Sequence, residues 1–133
     1  MNIFRRFWTR LQRGKPPNIG AYGEAVAGEF MKKRGYSIVT RNWRFGHGEI
    51  DIVARDGEIL VFIEVRLRGK DAVVRGYESI STHKKRTLHR TCLAYLKKCT
   101  RGVIAYRFDV IDIGHDYATG SDTIHHYENV PLF

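Results

Sequence analysis

The stretch Gly48-Glu-Ile-Asp-Ile-Val-Ala-Arg-Asp-Gly-Glu-Ile-Leu-Val-Phe-Ile-Glu-Val-Arg66 constrains the fold more than any other part of the chain. Two alternating, β-branched runs flank Asp56-Gly57, a strong hairpin signal. With Asp56-Gly57 as a two-residue loop, Arg55 pairs with Glu58, Asp51 lies opposite Phe62, and Glu49 lies opposite Glu64. Side chains alternate along a strand, so Glu49, Asp51, Glu64 and Arg66 are expected on one face. Three carboxylates in one patch repel. A hard divalent cation such as Mg²⁺ resolves the conflict, because it takes carboxylates, a backbone carbonyl and water. A solvated face with Arg66 and Arg68 as counter-charges resolves it too. Burial bears on the choice. Ile50, Ile52, Ile59, Val61, Ile63 and Val65 are expected on one face, while Val53, Leu60 and Phe62 continue on the acidic one. A sheet apolar on both sides is covered on both sides, and carboxylates held there need a partner.

The rest of the chain supplies the cover. Asn18 reads as an N-cap for a helix reaching about Arg34, with Gly35 as its stop and Gly23, Val26, Ala27, Phe30 and Met31 as its apolar stripe. Glu24 lies on the edge of that stripe; by spacing alone it complements the helix dipole equally well. Tyr36–Trp43 alternates as a strand, and the Gly46-His47-Gly48 loop leads into the hairpin. Residues 69–80 show no period and are expected to form a substrate-contacting flap bearing Lys70 and Arg75. Ser81 caps a second helix to about Lys98, with Leu88, Cys92, Tyr95, Leu96 and Cys99 toward the sheet. Lys84 stands one turn before Leu88 on the same line and is expected to point along the sheet toward the acids. With Lys85, Arg86 and Arg90 near a helix N-terminus, it makes a phosphate-binding arrangement. Val103–Ile113 is apolar on both sides, which predicts a central, parallel strand. Thr123–Tyr127 is expected at an edge, and its adjacent His125 and His126 face opposite ways, so they cannot chelate one ion.

Residues 1–17 form a basic extension and residues 18–133 one domain. Within the extension, Ile3, Phe4, Phe7, Trp8 and Leu11 share a helical face that suits a membrane surface, a partner, its own domain or a second copy in a homodimer. No run reaches the roughly 18 apolar residues of a membrane span and no signal-peptide core is seen, so a cytoplasmic protein with reduced thiols at Cys92 and Cys99 is expected. The net charge of +9 is uneven. Residues 66–107 hold 12 Lys/Arg against Asp71 and Glu78, whereas residues 108–133 hold 5 acids and no Lys or Arg. A basic segment beside a carboxylate cluster suits a polyanion brought to a metal. With no glycine-rich phosphate loop in the sequence, no small-molecule cofactor is expected.

An Asp on one strand and Glu-x-Lys or a variant on the next resembles the PD-(D/E)xK nuclease superfamily. More closely, Gly20-x-x-Gly-Glu24, Arg41-Asn42, Gly48-Glu-Ile-Asp51, Phe62-Ile-Glu-Val-Arg66 and Arg107-Phe-Asp-Val110 resemble, in order, the YraN family of small bacterial endonuclease-like proteins. The resemblance implies an α/β fold with a restriction-endonuclease-like core, a mixed β-sheet with a helix on each face. It implies hydrolysis of phosphodiesters in structured or branched DNA or RNA with Mg²⁺ or Mn²⁺. Asp51, Glu64 and the Val65 carbonyl then hold the metal, with Glu24 and Glu49 as supporting acids. Arg44, Lys70, Arg75, Lys84, Lys85, Arg86 and Arg90 then meet nucleic acid. Arg66 departs from the pattern: it occupies the usual lysine position, stabilises charge on phosphate, and cannot act as a base. Lys84 is the candidate to take over that work. A non-catalytic nucleic-acid-binding protein of the same fold, or an interaction protein recruited through residues 2–13, are the rival readings.

Overall fold

A computed structural model describes residues 19–71, 78, 80–102 and 105–132. The expected helix over 2–13, the Asn18 cap, Arg75 with most of the flap, and the start of the strand at Val103 lie outside them. The elements in order are α1 (Ile19–Lys33), β1 (Ser37–Phe45), β2 (Gly48–Asp56), β3 (Ile59–Gly69), α2 (Thr82–Cys99), β4 (Tyr106–His115) and β5 (Asp122–Tyr127). The strands form a single sheet in the order β1-β2-β3-β4-β5. Only β3 and β4 pair in parallel, joined by the crossover that contains α2; the other neighbours are antiparallel. This is the mixed sheet the sequence predicts.

A helix packs on each face. On one, Tyr22, Val26, Ala27 and Met31 of α1 bury Ile52, Ala54, Val61, Ile63, Ile111 and Ile113. On the other, Leu88, Cys92 and Tyr95 of α2 bury Ile50, Val53, Leu60, Phe62, Phe108 and Val110. Ser81 caps α2 as its sequence predicts, its hydroxyl accepting a hydrogen bond from the Lys84 backbone N–H. Cys92 is buried as expected, but Cys99 is exposed because α2 has run past the sheet by its last residue; both thiols are free.

Two expectations about the hairpin are corrected. The tight turn is Gly57-Glu58 rather than Asp56-Gly57, so Asp56 pairs with Ile59 and Arg55 with Leu60. Gly57 takes the left-handed φ of 59° that such a turn demands. A shift of two residues keeps every side chain on its face, and it brings Asp51 level with Glu64 instead of Phe62. The second correction concerns Ile50, which packs under α2 while Ile52 packs under α1. Strict alternation breaks at Asp51.

Glycines admit the helices. At Gly23 of α1 a Cβ would lie 3.3 Å from that of Leu67. At Gly48 it would lie 1.9 Å from Thr91 Oγ1 of α2, which no side chain can occupy. Buried Asp109 accepts hydrogen bonds from Arg107 and the Asn129 backbone N–H and meets His126 Nε2 at 2.7 Å, while Arg107 also reaches Asp56. The Arg107-Phe-Asp-Val110 block is therefore a clasp that joins the end of β2, β4 and β5, and its Val110 lies opposite Glu64 in the β3–β4 register. His126 is part of it and His125 faces the other side of β5, so they point apart as expected. Gly48→Ala should destabilise the protein by about 1–3 kcal/mol through overpacking, read from urea midpoints, and Thr91→Ala in the same chain should recover part of the loss.

Candidate metal and nucleic-acid site

The β2–β3 ladder ends at Ile52 and Ile63. Beyond it the strands part, and Asp51 fills the gap: its Oδ2 accepts the Val65 N–H at 2.8 Å, taking the place of a ladder partner. A strand residue's N–H and C=O point the same way, so the Val65 carbonyl faces this gap as well. Glu64 projects from β3 on the α2 side, 4% exposed. Its Oε1 lies 3.7 Å from Arg66 Nη1 and 3.7 Å from Lys84 Nζ. Its Oε2 is buried and meets no N–H or hydroxyl donor among the described residues, while the carboxyl is hydrogen-bonded to that of Asp51, which takes a shared proton.

Two further acids complete the group. Glu24 reaches in from α1 and Glu49 from the start of β2, and each offers an oxygen that lies, with one from Asp51, in a triad no more than 4.8 Å across. Asn42 on β1 bridges them, its Nδ2 donating to Glu24 Oε1 at 2.8 Å and to Glu49 Oε1 at 3.0 Å. Arg44 donates to the other oxygen of Glu49 at 2.8 Å. The acids thus come from three elements and meet where β2 leaves β3.

The electrostatics follow from this crowding. Burial, and then the neighbouring charge of Asp51, push the Glu64 pKa up to about 8, against the pull of Lys84 and Arg66. Burial raises Asp51 too, although the Val65 N–H favours its charged form. Glu24 is raised, chiefly by burial. Glu49 is lowered, since the hydrogen bonds of Asn42 and Arg44 outweigh its burial. The residues fit a divalent ion: hard oxygen donors, an unsatisfied buried carboxylate oxygen, and a surplus of negative charge. The same charge repels phosphate unless a cation offsets it.

The structure brings together Glu24, Glu49, Asp51, Glu64, Val65, Arg66 and Lys84. Lys84 arrives from α2 as its helical line predicts, while Arg44 is engaged with Glu49. Lys70, just past the end of β3, pairs with Asp116 at 3.0 Å, away from the acids. Lys85 is half-buried and Arg86 and Arg90 are exposed along α2. His47 sits exposed at the tip of the β1–β2 hairpin. The residue that sequence reasoning assigned no role is Asn42; the available signal was its place in the Arg41-Asn42 block and asparagine's tolerance of left-handed backbone.

Fold and site together define the class: a small α/β protein with a restriction-endonuclease-like core and a carboxylate cluster at a sheet divergence. The profile of the family described as "Uncharacterised protein family UPF0102" matches residues 23–113. The chain belongs to this family, which is the YraN family that its sequence blocks resemble. A UPF0102 protein of Beutenbergia cavernae is 38% identical over 112 residues, spanning 84% of this chain and 94% of the relative. Another, from Chlorobaculum tepidum, is 41% identical over 98 residues, 74% of this chain and 76% of the relative. A third, from Chlorobium chlorochromatii, is 35% identical over 126 residues, with 86% and 94% covered. Among the described residues no helix is long and apolar enough to cross a membrane.

Without metal, the folded state holds the Glu64 proton that the unfolded chain releases near pH 4.5, and keeps it to about pH 8. The Glu64 contribution to stability in metal-free buffer should therefore be full below that window and fall as pH rises through it. Glu64→Gln should flatten most of the slope in a plot of urea midpoint against pH. An unchanged slope would place the titrating group elsewhere.

Proposed function

We propose that this protein is a divalent-metal-dependent nuclease acting on DNA or RNA. One observation carries the reading: the buried carboxyl of Glu64 is hydrogen-bonded to a second carboxyl, Asp51, and its Oε2 finds no other donor among the described residues. Buried polar atoms are nearly always satisfied, and two adjoining carboxylates are not both charged unless a cation sits with them. A cation held by Asp51, Glu64 and the Val65 carbonyl, with Glu24 and Glu49 in support, accounts for the arrangement. When bound, Mg²⁺ or Mn²⁺ polarises the scissile phosphate and makes water a competent nucleophile at neutral pH.

The chain's own residues supply the rest. Arg66, fixed beside Glu64, keeps its charge at every working pH and stabilises the negative charge that develops on the phosphoryl oxygens. Lys84, beside the same carboxylate and 41% exposed, has the titratable amine that Arg66 lacks. After its ammonium has given up a proton, the neutral amine takes the proton from the attacking water as a P–O bond forms to that oxygen and the P–O bond to the leaving group breaks. Lys85, Arg86 and Arg90 along α2 draw the polyanion toward the acids. A second reading, a nucleic-acid-binding protein without catalysis, is favoured by Arg66 in the lysine position.

The two readings separate in one experiment on branched and single-stranded substrates with Mg²⁺ or Mn²⁺. The nuclease reading expects metal-dependent cleavage, lost in Asp51→Asn while salt-dependent binding is kept or slightly tightened. Lys84→Met should lower cleavage by about 10²–10⁴-fold, the usual worth of general acid–base catalysis, and Arg66→Lys should preserve or raise it. Wild-type cleavage no greater than that of Asp51→Asn on every substrate would refute the enzyme, and salt-dependent binding in the same samples would leave the binding protein.

A further inference from the structure

We infer that Asn42 is the positioning residue of the carboxylate site: its backbone turns the β1–β2 pair over at Asp51, and its amide holds Glu24 and Glu49 at ligating distance from Asp51. The inference rests on the metal-site reading proposed above and adds a determinant of that site.

The backbone comes first. Asn42 has φ 51°, in the left-handed region that side chains other than glycine and asparagine seldom enter. Its neighbours show the effect. Arg41 turns toward α1, where its Nη1 donates to the Glu24 carbonyl at 3.2 Å and its guanidinium fills the space a Cβ would take at Gly28. Trp43, two residues on, packs with Tyr95 on the α2 side. In a regular strand residues 41 and 43 share a face. The paired strand follows: Arg41 is opposite Ile52 and Trp43 opposite Ile50, and these two isoleucines also go to opposite helices. The register puts Asn42 opposite Asp51. The turnover of both strands falls on this row, and it is the row from which Asp51 reaches sideways to the Val65 N–H.

The side chain adds a second role. A carboxamide nitrogen has two N–H donors, and both are spent on carboxylates, Glu24 Oε1 at 2.8 Å and Glu49 Oε1 at 3.0 Å. The two acids come from different elements and would repel each other without a shared donor. Docking of α1 does not need this amide, because Arg41 over Gly28 already clamps the helix to β1. Arg44 holds the other oxygen of Glu49; what Asn42 adds is the link that sets Glu24 and Glu49 against each other. The buried Oε2 of Glu64, which meets no N–H or hydroxyl donor among the described residues while its carboxyl adjoins that of Asp51, is the independent sign that these acids await a ligand.

The test uses the full chain, Mn²⁺ alone and calorimetric titration, with the melting temperature recorded in parallel. Asn42→Gly keeps the left-handed backbone and deletes the amide. It should melt close to wild type yet bind Mn²⁺ at least tenfold more weakly. Its effect should be strongly non-additive with that of Glu49→Gln in a double-mutant cycle, since the substituted glutamine leaves no ligating charge at that position for the Asn42 amide to hold in place. Asn42→Ala should also melt at lower temperature. If Asn42→Gly does not fold, Asn42→Asp, whose side chain tolerates the same backbone but donates nothing, carries the cycle. Wild-type Mn²⁺ affinity in Asn42→Gly, or strict additivity with Glu49→Gln, would overturn the role of Asn42 and leave the metal site standing. A wild-type protein that binds no Mn²⁺ would overturn both.

Discussion

Carboxyl groups crowded where β2 leaves β3 are the constraint on which this structure turns. Glu24, Glu49 and Asp51 gather there part-exposed, and Glu64, 4% exposed, adjoins Asp51 from beneath α2. Each neighbouring polar group answers part of their charge. The Val65 N–H holds one oxygen of Asp51, Asn42 bridges Glu24 and Glu49, Arg44 takes the rest of Glu49, and Arg66 and Lys84 converge on Glu64 Oε1. Glu64 Oε2 meets no N–H or hydroxyl donor among the described residues. Burial and the charge of Asp51 push the Glu64 pKa up to about 8, so a proton shared with Asp51 offsets the excess in the metal-free protein, and a cation does so in the proposed working state.

The fold exists to hold that excess in place. The parallel β3–β4 pair and its crossover set α2 across the sheet, and the absence of a side chain at Gly48 lets α2 lie directly on β2. That contact carries Lys84 to Glu64 on a rigid helix rather than on a loop. From the opposite face, Gly23 and Gly28 let α1 sit close to β3 and β1, and Glu24 rides in with it. The Arg107–Asp109–His126 clasp ties β4 to β5 beside the β3 residues that flank Glu64, and the β2–β3 ladder ends at Ile52 and Ile63, just short of Asp51.

Most of this was legible, and the misses have definite causes. The hairpin, the helices on both faces and the parallel β4 follow from apolar periodicity, which burial enforces everywhere in the core. Lys84 could be placed because residues one turn apart on a helix share a line. The hairpin turn was misread by one residue and the register by two, since an Asp-Gly pair marks a turn without saying which of its residues pair; an even register shift keeps the faces, so Asp51 and Glu64 still met. Ile50 was put on the wrong face because period-2 reading assumes extended backbone throughout, and Asn42 breaks it from the neighbouring strand. The Tyr22–Asp122–His115 chain of hydrogen bonds, which ties α1 to β4 and β5, joins residues 100 apart and leaves no local pattern to find.

The central claim is that these acids form a cation site, and anomalous scattering from crystals grown with Mn²⁺ tests it most directly. The account predicts a peak at about 2.0–2.6 Å from carboxylate oxygens of Asp51 and Glu64, with Glu64 Oε2 among them. Well-ordered Asp51 and Glu64 with no peak at saturating Mn²⁺ would contradict it.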